Sequence, residues 1–224
     1  MAKAEQTPQT HPSERRKGFI FLGISVVAFL VILAAALWPQ LNQPDKSTKS
    51  VGKMGATLAE AKCSPIEKNS AAGSGDHRPD GTKLTYPQGP PASGPHWGDF
   101  LYGPQIRNFY TREDRPPVEQ LVHSLEHGHT IIWYDETIKP DTKAYAELQA
   151  YAKALTPNDY LMIAPWGASD GKALPSGKHL ALTHWTGPKD QQAVRQYCAL
   201  PSGEAFDAFR TEFTNQDAPE PGAP

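Results

Sequence analysis

Three histidines and one carboxylate fall within seven residues in the stretch HSLEHGH, residues 123 to 129, just ahead of a run of apolar strand formers. If residues 117 to 128 form a short helix, His123 and His127 stand at i and i+4 on one face, with Cβ atoms about 5–6 Å apart. Two imidazoles at that spacing can share one metal ion. Glu126 sits three residues after His123 and one before His127, placed to orient a ligand or to act as a base.

A further histidine, His96, closes the segment PPASGPH, residues 90 to 96. Prolines on both sides of Ser93-Gly94 stiffen that backbone, so an imidazole held there has little freedom left to lose on binding. His129 lies on the next strand, away from the i, i+4 face, and reads as a packed or solvent-facing histidine rather than a ligand. A lone loop histidine is ordinarily a surface residue, and His96 joins His123 and His127 as an expected metal ligand, with Glu126 beside them, through the family resemblance that these motifs carry. Three imidazoles suit copper, zinc or another late transition metal, and they leave a coordination position open.

Two other readings compete with that one. The run His123-Ser-Leu-Glu-His127 fits the inverted zincin pattern His-x-x-Glu-His of zinc-dependent hydrolases, with the Glu as general base and Glu204 as a downstream third ligand. Alternatively the histidines are structural, and the chain is a non-catalytic interaction protein.

The elements that must position these groups are marked by local signals. Pro117 and Gly128 bracket the histidine helix as start and stop residues. HTIIWYDE, residues 129 to 136, alternates and is rich in β-branched and aromatic side chains, so it is a strand. DTKAYAELQAYAKAL, residues 141 to 155, is an amphipathic helix capped by Asp141, with Tyr145, Leu148, Tyr151, Ala152 and Leu155 as its apolar stripe. YLMIAPW, residues 160 to 166, and HLALTHW, residues 179 to 185, are further strands, with Met162 in the core rather than on copper. Residues 189 to 213 read as a final helix interrupted near Pro201-Ser202-Gly203. The stretch from Gly73 to Pro104 is too dense in Gly and Pro for a helix or a central strand. It is an ordered loop, with Tyr86, Trp97, Phe100 and Tyr102 packed over the site. Together these predict a small α+β domain with a short mixed or antiparallel sheet, two to three helices and one long Gly/Pro-rich loop.

Outside that domain the organisation follows from charge and hydropathy. Residues 18 to 38 contain no charge, and 21 residues at about 1.5 Å each reach about 30 Å, the thickness of the hydrocarbon core. That run is long for the apolar region of a cleaved signal peptide, although Ala34 to Ala36 imitates a cleavage site. Arg15, Arg16 and Lys17 abut its N-terminal end, and the next cation is Lys46. The positive-inside rule then predicts a cytoplasmic tail over 1–17, a single-pass transmembrane helix over 18–38 and an extracytoplasmic remainder. That remainder divides into a stalk over 39–60, the α+β domain over 61–214 and a disordered tail over 215–224. The expected partners are the lipid bilayer and a protein of the cell envelope. The first 38 residues hold 4 of the 22 bases and 2 of the 24 acids, leaving the rest at about −4. Such a charge excludes a surface built for nucleic acid.

Cys63 and Cys198 are the only cysteines. Without Cys-x-x-Cys spacing they read as one disulfide of an oxidising compartment rather than as metal thiolates. Closing so long a loop is worth about 4 kcal/mol on the loop-entropy estimate.

At PPASGPH followed by VHSLEHGHTIIWY the chain resembles a bacterial membrane-protein family known as domain of unknown function 3105. The similarity spans roughly residues 74 to 185. It implies that His96, His123, Glu126 and His127 occupy the family's motif positions, and that His77 matches a family histidine ahead of the proline loop. Family members tend to carry Ala-Trp where this chain has His184-Trp185, so His184 is a poor candidate for a shared ligand. The family implies no particular activity.

Overall fold

The computed structural model describes residues 51–222 of the chain. The expected cytoplasmic tail, the transmembrane helix and the stalk up to residue 50 lie outside these residues. Among the described residues no helix is long and apolar enough to cross a membrane.

The fold is α+β with a mixed sheet, as the alternating strands predict. A single helical turn, α1 (Leu58–Ala61), precedes β1 (Glu67–Ser70). Two short strands, β2 (His77–Arg78) and β3 (His96–Trp97), pair in parallel as a separate ribbon. Then come α2 (Val118–Glu126), β4 (Thr130–Tyr134), α3 (Lys143–Lys153), β5 (Leu161–Pro165), β6 (Leu180–Thr186), β7 (Gln192–Cys198) and α4 (Gly203–Glu212). The main sheet has the order β1-β7-β6-β4-β5, with β4 and β5 parallel and the other pairs antiparallel. The parallel pair is joined through α3, the crossover such a pair requires.

Alternation along the central strands feeds two cores, one on each face of the sheet. Ile132, Tyr134, Leu161, Ile163, Leu182 and Val194 pack with α3 and α4. Ile131, Trp133, Met162, Ala164, Ala181 and Trp185 pack instead with Val118, Leu121, Val122 and Leu125 of α2. The histidine helix shares that second face with the loop residues Tyr86, Leu101 and Tyr110. The Cys63–Cys198 disulfide forms, with an S–S distance of 2.02 Å, and both cysteines pack with the first core.

Several boundaries differ from the sequence expectations. The final helix predicted from residue 189 is instead β7 followed by α4. Gln, Ala and Arg are good helix formers, but β7 is held between β1 and β6, and pairing on both edges overrides propensity. Ser202, read as part of an interruption, is the N-cap of α4 and accepts a hydrogen bond from the Ala205 N–H at 3.3 Å. Thr142 rather than Asp141 caps α3, accepting from the Tyr145 N–H at 3.2 Å. With α1 there are four α-helices among the described residues, one or two more than expected.

Both ends of the described chain are packed where a stalk and a disordered tail were expected. Val51 is fully buried in the first core, and Ala56 N–H donates to the Pro201 carbonyl at 2.8 Å. At the other end Ala218 is fully buried, Gly187 N–H donates to the Asp217 carbonyl, and Glu220 N–H donates to the Glu126 carbonyl at 3.0 Å. One apolar side chain and a few backbone bonds suffice to order a polar segment, and composition alone does not register them.

Candidate metal centre

The helix α2 delivers two side chains to the centre. Its apolar positions face the sheet, and His123 and Glu126, three residues apart, share a face turned toward the loop region. Gly128 ends the helix with φ +94°, and a Cβ there would lie 2.6 Å from the Asn215 carbonyl oxygen. A residue without a Cβ is thus required where the chain turns from α2 into β4.

The ribbon delivers two more. The parallel register of β2 and β3 sets His77 opposite His96, and His96 N–H donates to the Asp76 carbonyl at 3.2 Å. The proline loop before His96 is fixed from outside as well as by its own stiffness. Arg195 Nε–H donates to the Pro90 carbonyl at 2.9 Å, and the Tyr86 hydroxyl donates to the Pro95 carbonyl at 2.9 Å.

These elements bring His77, His96, His123 and Glu126 together, with one donor atom from each and all four atoms within 4.8 Å of one another. Ring centroids are separated by 4.6 Å for His96–His123, 4.9 Å for His77–His123 and 5.0 Å for His77–His96. His96 and Glu126 are wholly buried, while the His77 side chain is 46% exposed and forms the rim. Phe100 lies edge-on to His123 at 5.6 Å and covers it, as expected of the loop aromatics. Tyr102, expected beside it, points outward and is 57% exposed.

Protonation at the centre follows from the hydrogen bonds. His96 Nδ1 is 2.9 Å from the Gly94 carbonyl oxygen, which can only accept, so Nδ1 carries the proton. In the neutral ring Nε2 then bears a lone pair, and it lies 2.9 Å from Glu126 Oε2. Despite that separation neither atom has a hydrogen-bond partner, and His123 Nδ1 is a third buried atom without one. Burial pushes the Glu126 carboxyl up, but the adjacent His96 ring, the Ser74 hydroxyl and the Gly75 N–H outweigh it and hold the group at about 2. The Gly75 N–H bond to Oε1 is 2.8 Å. Burial, reinforced by His96 and His127, pushes the His123 imidazole down to about 4. The centre therefore gathers a buried carboxylate and three imidazole rings, an arrangement that a cation stabilises.

The donor set fits a transition-metal ion. Two donors on one ion with bonds of about 2.1 Å stand at most roughly 4.2 Å apart, so the widest separation has at most about 0.6 Å to close.

The remaining histidines are placed as follows. His127 caps α2, and its ring is 4.6 Å from His123, so the shared helix face is real. Its Nδ1 faces the Glu220 carbonyl oxygen at 3.4 Å, however, and it is not one of the four converging residues. That arrangement departs from the inverted zincin pattern, in which both histidines take the metal and the Glu stays free as a base. His129 is no ligand, as expected, and of the two places open to it takes the packed one, with Nδ1 3.2 Å from the Ser124 carbonyl. His184 is fully buried between Thr130 and Asp217, at 3.0 and 2.9 Å, away from the cluster. Glu126 enters as a member of the donor set rather than as an orienting neighbour. His77 has no local signal of its own and was pointed to by the family resemblance alone.

An α+β domain with a three-histidine, one-carboxylate centre, buried but for His77 at its rim, and a proline-stiffened loop defines the class of protein. The chain belongs to the family described as protein of unknown function (DUF3105), whose model matches residues 77–224. The match includes all four residues of the centre. No curated protein and no solved structure matches the chain.

Proposed function

We propose that the protein is a membrane-anchored, extracytoplasmic metal-binding module of the cell envelope, holding one zinc or copper ion on His77, His96, His123 and Glu126. The observation that carries this reading is that three of the four converging residues hold a buried polar atom with no hydrogen-bond partner, His96 Nε2, His123 Nδ1 and Glu126 Oε2. Buried polar atoms are nearly always satisfied, and three orphans in one cluster point to a missing cation. Imidazole nitrogen with a single carboxylate suits zinc or copper rather than magnesium or calcium, which take oxygen shells. The anchor at 18–38 and the outward orientation rest on the uncharged run and the cations at residues 15 to 17. The disulfide supports an oxidising compartment.

The test is metal analysis of the full-length chain, purified in detergent after growth with zinc or copper, beside a His96→Ala/His123→Ala variant. One equivalent of metal in the wild type and none in the variant is expected. Equal metal content in the two would end the reading.

A further inference from the structure

On the face of β7 turned toward the proline loop, Ala193, Arg195 and Tyr197 alternate. Arg195 is only 4% exposed. A buried guanidinium ordinarily requires a carboxylate, because the cost of removing the charge from water is several kcal/mol. Among the described residues none lies within ion-pair distance. Glu67, its register partner on β1, is exposed and forms no salt bridge with it. The acceptors it does have are neutral: the Pro90 carbonyl at 2.9 Å from Nε and Gln88 Oε1 at 2.7 Å from Nη1.

Those two bonds account for the clamping of the loop and use two of the five guanidinium N–H donors. Nη2 takes no protein partner among the described residues, and it is not among the fully buried orphan atoms. Arg195 lines a cavity of about 280 Å³ formed between β7 and the loop. Its walls are apolar at Tyr86, Pro87, Pro95 and Ala193, with the Ser93 hydroxyl on the loop side. A single cation in a small, largely apolar cavity matches a ligand with one negative charge and an apolar body. A dianion such as phosphate would bring a second charge to a place where the residue in register with Arg195 on β1 is the acid Glu67.

We propose that this cavity is a binding site for a small monocarboxylate, with Arg195 as the anion-binding group. The carboxylate is that of a free organic acid or of the C-terminus of a peptide. It accepts from the free Nη2 and lays its apolar body on Tyr86 and Pro95. The site is separate from the histidine centre and stands whether or not that centre holds metal.

The experiment titrates the full-length chain in detergent with butyrate, benzoate, their neutral amides, inorganic phosphate, and a short apolar peptide with a free or amidated C-terminus. Binding is read by isothermal titration calorimetry. Saturable binding of the carboxylates and not of the amides is expected, with loss of about tenfold or more in Arg195→Gln, as for a hydrogen bond to a charged group. Preference for the free-ended peptide over its amidated twin would assign the source as a chain terminus, and preference for benzoate would assign it as a free acid. Because Arg195→Gln also removes the loop clamp, Ala193→Leu provides a second route. It fills the cavity, leaves the guanidinium in place and is expected to abolish binding while keeping the fold. Amides binding as well as acids, phosphate binding best, carboxylates failing to bind, or unaltered binding in Ala193→Leu would each overturn the proposal.

Discussion

His96 Nε2 and Glu126 Oε2 stand 2.9 Å apart with both side chains shielded from water. They arrive from a two-residue strand and from the last turn of a helix, 30 positions apart in the chain by their numbers. Two acceptors held that close store repulsion unless a proton or a metal ion lies with them, and the following expectations turn on that relationship.

Metal should act as a stabilising ligand. A strong chelator is expected to lower the melting temperature of the purified protein, and stoichiometric zinc or copper to restore it, because an ion that binds only the folded chain stabilises by mass action. His96→Ala should abolish that response, whereas His77→Ala, on the exposed rim, should weaken it. Differential scanning fluorimetry with and without metal distinguishes them; a chelator-insensitive wild type would contradict the expectation.

Removing charge without changing shape isolates the role of Glu126. In Glu126→Gln the amide oxygen can still accept from Gly75 N–H, so the fold is retained. Metal affinity is expected to fall about 10- to 100-fold or more, the range typical even of supporting groups at such sites. Competition with a chromophoric chelator measures it, and unchanged affinity would place the carboxylate outside the coordination sphere.

Acid should destabilise the metal-free fold partly through His129. Burial pushes this imidazole down to about 4 from its ordinary 6.5. Between those two values the unfolded chain takes up a proton that the folded chain refuses, so this contribution is intact above about pH 6.5 and is lost as pH falls toward 4. The total is on the order of 3 kcal/mol. Urea denaturation at pH 7 and pH 4.5 should show a smaller acid loss in His129→Gln than in the wild type. Identical losses would assign the effect to other groups.

The turn after the histidine helix should tolerate no side chain. Gly128→Ala combines a positive φ with a Cβ placed 2.6 Å from a backbone oxygen of residue 215, so it is expected to cost about 1–3 kcal/mol. Equilibrium unfolding checks this, and a neutral result would mean that the segment around Asn215 yields.

Most of the second core could be read from the chain. Helix α2 announces itself by Pro117 and Gly128, β4 and β6 by alternation and β5 by its apolar run, because these signals are local. Strand β1 could not be read: Glu67, Lys68, Asn69 and Ser70 are all exposed, and only pairing with β7 makes them a strand. The site was legible in the same proportion. His123 and His96 stand out by spacing and by proline context, and the structure sets their rings 4.6 Å apart. His77 depends on the register of a two-residue ribbon, a relationship that sequence spacing does not encode. Between His127 and Glu126 the helix rule is neutral, since i+3 and i+4 both lie on the face of His123. The choice falls to the segment around Glu220, whose backbone carbonyl takes up the His127 ring nitrogen.

The disulfide has a mechanical consequence. It joins Cys63, near the point where the described chain enters the fold, to Cys198 at the end of β7, bridging a separation of 135 residues. Tension applied between residue 51 and the C-terminal segment passes across the sulfur–sulfur bond and on into α4. Residues 64 to 197, the four converging side chains among them, are left out of the load path. A pull on the C-terminal end would first load the backbone bond between Glu220 and Glu126, and once that had parted the sulfur–sulfur bridge would carry the tension and leave the histidine centre slack.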